Sequence, residues 1–134
     1  MKKLEDIAKD KKVLVVEDED LVGKITLRLL DKLGFQKIDL AVNESQAMEF
    51  LSSNQYDLIM ADTNLGPISA QDQYGPRIVR EARKKAVKQP IVLATSAIED
   101  NKRFWVGESQ ADAFLLKPYG LTELKEKIEN VLGL

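Results

Sequence analysis

The sequence contains four uninterrupted runs of four apolar residues, at 13–16 (VLVV), 58–61 (LIMA), 91–94 (IVLA) and 113–116 (AFLL), and none longer. Such runs are too short to make helices. With no polar residue alternating through them, they predict strands covered on both faces. Strands of that kind belong to a parallel sheet, because the crossover from one parallel strand to the next lays a helix over the sheet. Residues 37–42 (KIDLAV) make a fifth candidate in which polar and apolar positions alternate, the pattern of an edge strand.

The stretches between these runs carry helical spacing. Leu21, Ile25, Leu29 and Leu33 recur every four residues and are closed by Gly34, a natural residue for a helix C-terminus. Asn43 with Gln46 three positions on predicts a capping box for a second helix with Ala47, Phe50 and Leu51 turned inward. Gly75 and Pro76 open a third helix through Ile78, Val79 and Ala82, with the proline at its first position. A weaker pattern runs over 98–106, and Leu121, Leu124, Ile128 and Val131 mark a last helix. Residues 1–11 read as a charged lead-in whose Leu4, Ile7 and Ala8 could touch the domain formed by 12–134. Strand and helix alternate five times, and right-handed crossovers then predict an α/β fold with an open, doubly wound, five-stranded parallel sheet. A closed eightfold barrel needs far more than 134 residues.

Composition restricts the chemistry. The chain has no cysteine and no histidine, which excludes disulfides, thiolate and imidazole metal sites, thiol nucleophiles and a Ser-His-Asp triad. Any bound metal must therefore be a hard cation held by oxygen. With 20 Lys+Arg against 22 Asp+Glu, the formal charge of −2 supplies no field for direct nucleic-acid or membrane-surface binding. No apolar run approaches a membrane span or a signal core, so a cytoplasmic protein is expected.

In an open α/β sheet, ligands bind at the carboxyl ends of the strands. Each buried run here ends in a polar residue at that edge: Glu17 and Asp18 after the first, then Asp62, Thr95 and Lys117. One such residue is what any strand leaving a core tends to meet, but the set as a whole is harder to explain in that way. Carboxylates about 4–6 Å apart repel by several kcal/mol at an effective dielectric near 20, so the cluster calls for a cation. Magnesium suits an oxygen-only donor set. With the Lys117 ammonium and the Thr95 hydroxyl it would form a pocket for a dianionic tetrahedral group, in which a carboxylate could act as the nucleophile of phosphoryl transfer.

Four segments carry a family resemblance: 13–20 (VLVVEDED), 56–62 (YDLIMAD), 90–97 (PIVLATSA) and 113–119 (AFLLKPY). Each is weak alone. In this order along the chain, they resemble the receiver domain of two-component response regulators, the chemotaxis-regulator-like fold, over about residues 12–134. The resemblance implies a flavodoxin-like (βα)5 fold with strand order 2-1-3-4-5, and Asp62 as the phosphoacceptor. It implies that Asp18, Asp62 and the backbone carbonyl of Asn64 hold magnesium, with Glu17 acting through a water. Thr95 and Lys117 would hold the phosphoryl oxygens, and Thr95 and Phe114 would be the switch residues, Phe114 acting by packing alone because it lacks a tyrosine's hydroxyl. The chain departs from the family pattern at 65–74 (LGPISAQDQY), which separates the acceptor from Gly75 by several extra residues.

Two other readings are open. A haloacid-dehalogenase-like phosphatase also uses an Asp nucleophile with magnesium, but it needs a second Asp two residues on, where this chain has Asn64. A degenerate receiver would serve only as a binding module, yet the acidic pair, Asp62, Thr95 and Lys117 are all present. With no histidine of its own, a receiver must take its phosphoryl group from a partner, a sensor histidine kinase or a histidine phosphotransfer protein. No output domain follows Leu134, so its downstream target is expected to be another protein.

Overall fold

A computed structural model describes residues 3–62, 91–95, 113–116 and 119–134. Five parallel strands, β1 (Lys12–Val16), β2 (Lys37–Ala41), β3 (Leu58–Asp62), β4 (Ile91–Thr95) and β5 (Ala113–Leu116), form one sheet in the order β2-β1-β3-β4-β5. The described helices are α1 (Leu4–Ile7), continued by a 3-10 turn over Ala8–Asp10, then α2 (Asp20–Lys32), α3 (Glu44–Ser53) and α4 (Leu121–Leu132). The helices expected after Pro76 and over 98–106, and the 65–74 segment, lie outside the described residues.

Both faces of β1 and β3 are covered, as their uninterrupted apolar runs require. Val13, Val15, Leu58 and Met60 meet Leu30 and Leu33, at the end of α2, and Leu124 and Ile128 of α4 in one core cluster. The alternate residues, Leu14, Val16, Ile59 and Ala61, are equally buried, and α3 packs against β1 and β2. β2 is an edge strand, as its alternation indicates. β5 is the other edge although its sequence reads like a central strand. Leu115 is nonetheless buried with Leu124 and Ile128, since α4 lies against β5. An apolar run reports that a strand's faces are covered, not that it has a neighbour on each side.

Helix ends follow their caps. Asn43 Oδ1 accepts from the Gln46 amide at 2.8 Å, while Gln46 Oε1 accepts from the Val42 amide at 2.9 Å, one residue short of the usual reciprocal bond. Gly34 adopts φ 104° after α2, and Phe35 N donates to the Leu30 carbonyl at 3.1 Å, closing the helix in a left-handed turn that favours glycine. A Cβ at Gly34 would also lie 3.4 Å from that of Ala8. The lead-in packs there: Leu4 and Ala8 are fully buried in the cluster with Leu30, Leu33 and Phe35, and Ile7 packs against it.

The stripe on α2 corrects a sequence expectation. Leu33 is buried, but Leu21 is 70% and Ile25 46% exposed, and the buried positions within α2 are Gly23, Thr26 and Leu30. The helix is rotated so that Gly23 faces Leu40 and Thr26 reaches Tyr119, which turns the first half of the leucine stripe outward.

A polar cluster fastens the start of β1 to edge strand β2. Tyr56 Oη donates to Asp39 Oδ2 at 2.7 Å, and Lys12 Nζ donates to Asn54 Oδ1 at 2.7 Å while lying 5.2 Å from the Tyr56 ring centre. Burial, then the hydrogen bond to Asp39 and its negative charge, push the Tyr56 phenol above its ordinary value. Because the folded state keeps this proton longer than the unfolded chain, its contribution is complete below about pH 10 and is lost as pH rises further. Tyr56→Phe is accordingly expected to flatten the fall in stability above pH 10, measured by urea unfolding at stepped pH. An unchanged slope would contradict this role for the phenol.

Candidate functional site

Strand register assembles the site. Val16 pairs with both Ala41 and Ala61, so Glu17, the next residue after β1, stands level with Asp62, the last residue of β3. Asp62 pairs with Ala94, which puts Thr95, the end of β4, one step beyond it on the other side. Adjacent strands lie about 4.8 Å apart, so Asp62 occupies the middle of the carboxyl edge with the acidic pair on one flank and Thr95 on the other. Thr95 in turn pairs with Leu116, the end of β5, and Phe114 pairs with Leu93. Lys117 and Asn64 lie outside the described residues.

Glu17 is 5% exposed, a carboxylate taken almost wholly out of water, and its backbone is held in place because Glu17 N donates to the Ala41 carbonyl at 3.0 Å. Its Oε1 accepts from the Glu19 amide at 3.4 Å. Asp18, next in the loop, is exposed and leads directly into α2. The described side chains thus bring two carboxylates to this edge, one buried and one exposed, and among the described residues no group of three acidic side chains is placed to hold a metal ion. Imidazole and thiolate ligands are absent from the chain.

The described residues add one contact near this edge that sequence reasoning missed. Thr26 of α2, 2% exposed, shares a 2.8 Å hydrogen bond with the hydroxyl of Tyr119. A threonine in the middle of a helix, on the face that also carries Leu30 and Leu33, was the available signal.

The sequence profile of the response regulator receiver domain matches residues 13–129. The chain belongs to that family. Relatives include the transcriptional regulatory proteins LytR of Staphylococcus aureus, 29% identical, and CusR of Escherichia coli, 32% identical, each over 90% of this chain. These alignments cover 46% and 51% of the two relatives, so this receiver spans about half the length of the curated relatives it matches. Among solved structures, the response regulator TrrA of Thermotoga maritima, in complex with Mg2+ and BeF, is 27% identical with a TM-score of 0.75, covering 90% of this chain and 98% of its own. The fold is that of the receiver, the signalling domain of two-component systems.

Proposed function

We propose that Asp62 is the phosphoacceptor of this receiver, taking a phosphoryl group from a phosphohistidine. The observation that carries the reading is the register that sets Asp62 between the Glu17-Asp18 loop and Thr95 at one sheet edge. An Asp62 oxygen bonds to phosphorus as the phosphorus–nitrogen bond breaks, and the imidazole departs with the electron pair. Residues 1–134 hold no histidine, so the phosphohistidine is supplied from outside them, by a sensor histidine kinase or a histidine phosphotransfer protein. Thr95 and Lys117 hold the phosphoryl oxygens through a hydroxyl and an ammonium, and Thr95 and Phe114 relay the change to a protein-binding surface. Asp18, Asp62 and the Asn64 carbonyl, with Glu17 behind them, are the groups to hold Mg2+, which when bound neutralises the charge gathering on the phosphoryl oxygens. The Mg2+ and BeF bound by TrrA support that choice. Residues 12–134 form the functional unit, with 1–11 as its lead-in. Its setting is the cytoplasm, and among the described residues no helix is long and apolar enough to cross a membrane. The partner that reads the phosphorylated state is a protein, since a net charge of −2 gives this domain no pull on nucleic acid. Incubation with acetyl phosphate, with Mg2+ or with excess chelator, tests the reading: one phosphoryl group is expected per chain, and only with the metal.

The acyl phosphate is expected to be hydrolysed by the receiver itself, at a rate set by how water reaches phosphorus. By resemblance Asn64 and Ala97 flank that path, and both are modest in size. Ala97→Tyr is expected to lengthen the phosphorylated lifetime by keeping water out while leaving Lys117 in place. Phosphate release from the purified phosphoprotein measures it, and a variant that decays as fast as wild type would remove solvent access at this position as the control.

A further inference from the structure

Thr26 is an unexpected residue where it stands. A β-branched side chain with a hydroxyl is a mediocre helix former, and burying that hydroxyl costs free energy that a valine of the same shape would avoid. What the hydroxyl adds is the 2.8 Å bond to Tyr119, a residue 93 positions away. The Tyr119 ring packs against the main core cluster, so both ends of this bond are anchored.

The place of Tyr119 in the chain makes the bond consequential. Only Lys117 and Pro118 separate it from Leu116, whose position is set by its pairing with Thr95. One Cα step is about 3.8 Å, so the chain between the two placed residues Leu116 and Tyr119 is only three steps long. Pro118 narrows the torsions in between, since its ring restricts φ. At its other end, α2 continues directly from the loop of Glu17 and Asp18, and Thr26 is roughly 9 Å along the helix from Asp20 at a rise of 1.5 Å per residue. The Thr26–Tyr119 bond therefore ties the helix that follows the acidic loop to the segment that carries the ammonium.

We propose that Thr26 and Tyr119 are positioning residues for Lys117, holding its segment so that the ammonium meets the phosphoryl group; this rests on the reading of Asp62 as acceptor and Lys117 as a phosphoryl ligand. Displacements of about 1 Å in a reacting assembly can cost up to about a hundredfold in rate, and a tether released at one end is expected to cost about tenfold.

The test measures the rate of phosphoryl uptake from acetyl phosphate at saturating Mg2+, and separately the Mg2+ affinity by calorimetry, with thermal unfolding to show that each variant is folded. Tyr119→Phe and Thr26→Val keep the packing and remove the bond. Each is expected to slow uptake about tenfold with Mg2+ affinity unchanged, and the double variant to slow it no further, as coupled residues do. Thr26→Ser, which restores a hydroxyl, is expected to keep the wild-type rate. In a Lys117→Ala background, Tyr119→Phe should add nothing. The proposal is overturned if either single variant takes up label at the wild-type rate, if Mg2+ affinity falls in step with uptake, or if Tyr119→Phe slows the Lys117→Ala protein by the same factor. Wild-type protein that takes up no label would overturn the acceptor reading and this one with it.

Discussion

Asp62→Asn is expected to take up no phosphoryl label from acetyl phosphate under conditions in which the wild type is labelled. The amide matches the carboxylate in size and shape but offers no anionic oxygen to phosphorus, so the loss is one of chemistry and not of packing. Stability separates the two. Asp62 ends β3 level with the buried Glu17, and taking a negative charge away from this end of the sheet relieves repulsion. The variant is therefore expected to unfold at the same denaturant concentration as wild type or a higher one. Mass spectrometry of the intact protein, before and after mild base to cleave an acyl phosphate, reads the result. Equal labelling of the variant would move the acceptor elsewhere, and a labelling loss accompanied by a clear loss of stability would reduce the result to misfolding.

Leu4→Ala is expected to destabilise the protein by about 3 kcal/mol, within the 2–5 kcal/mol range for deleting a fully buried leucine side chain. Leu4 is 0% exposed and shares a core cluster with Leu30, Leu33 and Phe35, so its loss opens a cavity beneath the C-terminal end of α2. Single domains are stable by only about 5–15 kcal/mol in total, which makes this a large share. Glu5→Ala, one position away at an exposed site, is the comparison and is expected to change stability by less than about 0.5 kcal/mol. Urea unfolding of both decides it. A Leu4→Ala protein as stable as Glu5→Ala would detach the lead-in from the core.

Much of this receiver was legible before any coordinates. The four apolar runs named four strands, and the alternation over 37–42 named the edge strand β2, because covered faces leave a direct imprint on local pattern. The carboxyl edge was legible for the same reason: each strand's first polar residue marks where the chain leaves the core, and the parallel order brings those marks together. Glu17 and Asp62 accordingly stand level at that edge, with Thr95 one step beyond. The leucine stripe of α2 misled because spacing alone names an apolar face without saying which neighbour that face meets. Leu21 and Ile25 fit the period and are exposed, while Thr26 breaks the apolar pattern and is buried.

The sequence by itself determined the class of fold and the absence of imidazole and thiolate from any site these residues build. Only the tertiary structure decided that Leu4 and Ala8 complete the core, that α2 presents Thr26 inward, and that Thr26 reaches Tyr119. The division has a physical cause. Local pattern records whether a residue is covered, since coverage selects residue type one position at a time. Which element does the covering depends on register and docking between segments far apart in the chain, as with residues 93 positions apart, and those are fixed jointly by the packing of the whole sheet and its helices.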